Sequence, residues 1–87
     1  MKDKATWHYR VIRHVDGAAE WFGIHEVYVS KDGNLSWTSD PIKLTGDSVK
    51  DLEIDLDKML KDIRTRNVMV INKDNIVVDL EQGPSKL

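Results

Sequence analysis

The sequence predicts an α+β fold: a three-stranded antiparallel sheet with one helix packed on its aromatic face, plus a C-terminal strand or hairpin. Apolar and polar residues alternate over residues 7–14 and again over residues 20–29, which is the period of a half-buried strand. Asp16-Gly17 and Asp32-Gly33 each stand between apolar stretches, and such pairs are strong hairpin signals because their central positions accept positive φ. Val49, Leu52, Leu56, Met59, Leu60 and Ile63 recur at helical spacing, a stripe wide enough to cover a small sheet.

The first strand places Trp7, Tyr9 and Val11 on one face and His8, Arg10, Ile12 and His14 on the other. With Asp16 and Gly17 as the two loop residues, Val11 is expected opposite Phe22, Tyr9 opposite Ile24 and Arg13 opposite Glu20. The same register sets Arg10 against Gly23, Ile12 against Trp21 and His8 against His25. Gly23 then leaves space for the Arg10 side chain or a neighbouring chain. With Asp32-Gly33 as the second turn, Tyr28 is expected opposite Trp37 and Ser30 opposite Leu35. Trp7, Tyr9, Val11, Phe22, Ile24, Tyr28, Leu35 and Trp37 would then share one aromatic face, with Glu26 as its polar exception.

Asp40-Pro41 ends the third strand. Either Asp47 or Ser48 can cap the helix over about residues 49–63, and Ser48 with Asp51 makes a loose capping box. Acidic residues lie early in that helix and Lys61, Arg64 and Arg66 late, as the helix dipole favours. Residues 68–71 and 76–78 are continuous apolar runs around Asn72-Lys73-Asp74-Asn75. Continuous runs imply burial on both faces, so these strands either extend the sheet, fold over its second face, or pair with another copy.

The 87 residues are expected to form a single domain, 1–87, with loose ends over residues 1–6 and 81–87. A chain this short has little stability to spare, and without cysteine it has no disulfide or thiolate metal site. Reinforcement through a homo-oligomer follows as an expectation. The absence of a long apolar run or an apolar N-terminal signal core points to a cytoplasmic protein with no membrane role.

Thirteen basic residues against fifteen acidic ones give a net charge of −2, which disfavours a protein devoted to phosphate backbones. A nucleic-acid reading would use Arg10, Arg13, His8, His14 and Trp21 as contacts from the sheet. His8, His25 and His14 on one face raise a metal site, but a closed site needs about three or four converging ligands; no metal and no cofactor are therefore expected. Ser30, Ser36, Thr38 and Ser39 lie near turns beside Asp32 and Asp40, as turn chemistry alone would place them. No catalytic constellation emerges, and the chain reads as a non-enzyme.

The residues singled out for binding are Arg10, Ile12, Trp21, His25, Val27 and Val29. If uncovered, they form an apolar patch of the kind that marks an interface with a protein or small-molecule partner. If the C-terminal strands cover them, they are a second core layer.

Three segments resemble a widespread group of small bacterial and mobile-element proteins: Trp7-His8-Tyr9-Arg10-Val11, Gly23-Ile24-His25-Glu26-Val27-Tyr28 and Trp37-Thr38-Ser39-Asp40-Pro41. A helix of the type Asp55-Leu56-Asp57-Lys58-Met59-Leu60 completes the pattern, which covers residues 7–60. This resemblance implies a bacterial setting and carries no activity with it. Gly46-Asp47-Ser48 before the helix is more weakly similar to HicB-like antitoxins, which implies a regulatory role, although the proline-glycine-cysteine turn typical of that group is missing.

Overall fold

The computed structural model describes residues 5–80. Its elements are β1 (Thr6–Asp16), β2 (Ala19–Val29), β3 (Leu35–Trp37), α1 (Val49–Thr65), β4 (Met69–Asn72) and β5 (Val77–Leu80). The α+β class holds, but the sheet has five strands and is mixed, in the order β3-β2-β1-β4-β5. This corrects the expected three-stranded antiparallel sheet. The helix serves as a crossover that brings β4 alongside β1 in parallel, Ile12 facing Met69 and His14 facing Ile71. Buried parallel pairing is why Met69, Val70 and Ile71 are apolar without alternation. The C-terminal hairpin thus extends the sheet. The expected loose ends lie mostly outside the described residues, and Thr6 already belongs to β1.

Both hairpin registers differ from expectation, with different consequences. The first turn is Gly17-Ala18, with Asp16 facing Ala19. Gly17 takes φ of 61° while Ala18 keeps negative φ, so glycine occupies the first central position as a II′ turn requires. Val11 therefore faces Ile24, Ile12 faces Gly23 and His8 faces Val27. A shift of two residues preserves which side chains share a face.

The second loop spans five residues, Ser30 to Asn34, closed by Ser30 N–H donating to the Asn34 carbonyl at 2.9 Å and Gly33 N–H to the Ser30 carbonyl at 2.8 Å. Val27 now faces Trp37 and Val29 faces Leu35. This one-residue shift inverts β3. Leu35 and Trp37 leave the expected aromatic face and pack, with Val77 from β5, against the buried cluster of Ile12, Val27, Met69 and Ile71. Residues from both edge strands reach one central cluster, so the sheet is curled and its core lies on the concave face.

The helix lies on the opposite face, chiefly against β1. Ser48 caps it, its Oγ accepting from the Asp51 N–H at 3.1 Å. Met59 is its buried residue, and the Lys58 ammonium stands 3.9 Å above the Trp7 ring. Because β4 begins pairing only at Ile12, the β1 edge is open at Tyr9. The Asp62 carboxylate fills that gap, accepting the Tyr9 N–H at 2.9 Å, which satisfies a strand-edge donor that would otherwise lack a partner. The helix does not cover β2, and Phe22 remains 59 % exposed.

Candidate functional site

The pairing of β1 with β2 builds a histidine cluster on the concave face. His14 lies directly opposite Trp21, and Ile12 opposite Gly23. The His14 and Trp21 rings stack at 3.7 Å with an interplanar angle of 4°. On its other side His14 meets His25, Nε2 to Nε2 at 2.9 Å. Gly23 permits this crowding: a Cβ there would stand 3.0 Å from Trp21 Cζ3, 3.3 Å from His25 Nε2 and 3.3 Å from Pro41 Cβ. Gly23→Ala is expected to displace the Trp21 ring at a cost of about 1–3 kcal/mol, seen as a shift in tryptophan emission and a lower urea midpoint. An unchanged spectrum would show that the stack does not depend on this glycine.

Hydrogen bonding assigns the tautomers. His25 Nδ1 lies 2.9 Å from the Thr38 carbonyl oxygen, which can only accept, so Nδ1 carries the proton. Neutral His25 then presents a lone pair at Nε2, and His14 Nε2–H donates to it. His25 is fully buried; its pKa is lowered by burial, partly opposed by the Thr38 bond and by Asp40. Burial and His25 lower that of His14. The pair can take one added proton, on His14 Nδ1. A second would set two N–H groups against each other.

Beside this pair opens a cleft of about 310 Å³ whose walls include His14, Asp16, Trp21, Ser39, Asn72 and Lys73. Its chemistry is that of a polar binding cleft with an aromatic wall. His8 faces Val27 instead of His25, so the expected opposition of these two histidines does not occur. Among the described residues no three His, Cys, Asp or Glu side chains converge as metal ligands.

The other singled-out residues fall in different places. Ile12 and Val27 are fully buried in the central cluster, and with His25 they belong to the core of the single chain. Val29 is half-buried at the end of β2, and Trp21 is 46 % exposed. Arg10 points to the helix end, its Nε donating to the Asn67 carbonyl at 2.5 Å. Arg13 lies on the outer face and pairs with Glu20, so Arg10 and Arg13 do not share a surface. Thr38, Arg66, Asn67 and Lys73 were not legible as site residues, because each follows an element end and carries no periodic signal.

No protein-family model matches this chain, and no curated protein or solved structure shows significant similarity to it.

Proposed function

We propose that this chain is a small non-enzymatic interaction module that acts as a homo-oligomer, with a second copy covering its convex face. The observation that carries this reading is the imbalance of apolar burial. Among the described residues seven hydrophobic side chains are buried, while twelve large ones, including Phe22, Tyr28, Leu56 and Leu60, are exposed. A domain of this size without disulfides gains stability most readily by self-association. A second copy is present whenever the chain is, and a two-fold contact lets one patch cover itself. The His14–Trp21 cleft would take a further protein or small-molecule partner.

No described helix is long and apolar enough to cross a membrane, and we place the module in the cytoplasm, in a bacterial or mobile-element setting. An antitoxin-like or nucleic-acid role draws less support, since Arg10 and Arg13 lie on opposite faces.

Sedimentation at micromolar concentration should show a dimer or larger species. Phe22→Asp, at a position with no core role, should shift it to monomer while the far-ultraviolet spectrum stays that of a folded chain. A monomeric parent protein would sink the reading.

A further inference from the structure

Arg10 and Arg66 approach one concavity from two elements, the middle of β1 and the C-cap of α1. The cavity measures about 260 Å³, and His8, Thr65 and Asn67 complete its wall. Charge here is unbalanced. Among the described residues the carboxylate beside the two guanidiniums is Asp62, whose Oδ1 lies 3.7 Å from Arg66 Nε while its Oδ2 is engaged by the Tyr9 N–H.

A purely structural role for Arg10 would be to tie the helix–β4 connection to β1. That uses one donor, the Nε–H on the Asn67 carbonyl. Its terminal amino groups have no hydrogen-bond partner among the described residues, although these are the donors that match a carboxylate fork. His8 is a second, independent anomaly. The residue is 7 % exposed and its buried Nε2 has no partner among the described residues, an arrangement native folds rarely leave unexplained. Burial, Arg66 and Arg10 hold it neutral, with a pKa of about 4, against the weaker opposing pull of Asp62.

We propose that this cavity is a carboxylate-binding site in which Arg10 and Arg66 clamp the two oxygens of a small organic acid, with His8 in the wall. Among the described residues, two guanidiniums, one aspartate and a neutral imidazole leave a single positive charge, which a monoanion balances. A phosphate dianion would overcompensate beside Asp62 and the partly negative C-terminal end of the helix. The planar guanidinium fork suits two carboxylate oxygens better than it would a lone point charge.

The site also reads out its own occupancy. Arg66 from the helix end and Arg10 from β1 disfavour the imidazolium of His8, while Asp62 favours it. A bound anion screens both arginines, so binding should draw a proton onto His8 at mildly acidic pH.

The test is a chemical-shift titration of the full chain at about pH 7.5 with acetate and with propionate, both monoanions, and in parallel with inorganic phosphate, there mostly a dianion, and chloride. Acetate and propionate should give saturable shifts at the Arg10 and Arg66 Nε–H groups and the His8 ring, and raise the pH at which His8 titrates. Arg66→Gln, at an exposed position, should weaken binding roughly tenfold or more, about 1.4 kcal/mol, with its melting curve little changed. No saturable shift, or a shift that survives Arg66→Gln, would overturn the site. An equal response to phosphate and chloride would reduce it to general screening and overturn the carboxylate assignment.

Discussion

Lowering the pH from 7 to 5 is expected to weaken the fold by about 2 kcal/mol through His8. All three histidines have pKa values below the ordinary 6.5: His8 at about 4, and His14 and His25 lowered chiefly by burial. The unfolded chain therefore takes up protons near pH 6.5 that the folded chain refuses. Stability is fully present above that pH and is lost as the pH falls toward the folded-state values. For His8 the loss approaches about 3 kcal/mol by pH 4. His14 and His25 add loss of the same sign, and their pair resists a second proton because two N–H groups would then oppose each other. Ordinary carboxylates titrate mostly below this range, so urea unfolding at pH 7, 6 and 5 isolates the histidines. The His8→Leu variant should show a shallower decline than the parent protein. Equal stability at pH 7 and 5 would mean that the histidines are not held neutral by the fold.

Ile12→Ala should cost about 2–5 kcal/mol, enough to unfold much of a small domain. Ile12 is fully buried at the middle of the sheet, with Gly23 opposite on one side and Met69 on the other. Gly23 has no side chain to close the void, and Met69 is itself fixed in the cluster with Val27 and Ile71. Val49→Ala provides the contrast, since Val49 is 75 % exposed at the start of the helix and its truncation should change stability by about 0.5 kcal/mol or less. Urea midpoints of the two variants measure the difference. Similar small losses would place the core elsewhere.

The candidate sites were legible in part. That His8, Arg10, Ile12 and His14 share a face with Trp21, Gly23, His25, Val27 and Val29 follows from alternation, and the two-residue shift of the first turn left it intact. Which of them would meet did not follow. His14 meets Trp21 and His25 because the turn sits at Gly17-Ala18, while Arg10 goes to the helix end because β4 leaves the start of β1 unpaired. The partners Thr38, Arg66 and Asn67 come from segments whose positions no local pattern specifies.

By itself the sequence determined the α+β class, the alternation along β1 and β2, a helix start at Asp47 or Ser48 and a break between two apolar runs over residues 72–75. Each is written in neighbours a few residues apart, where turn chemistry, capping and periodicity act. Only the tertiary structure decided the parallel seat of β4 beside β1, the inversion of Leu35 and Trp37, and the face on which the core lies. Strand pairing joins residues distant in the chain. Its register depends on how many residues each loop consumes, and a difference of one residue in the second loop moved two large side chains from one side of the sheet to the other.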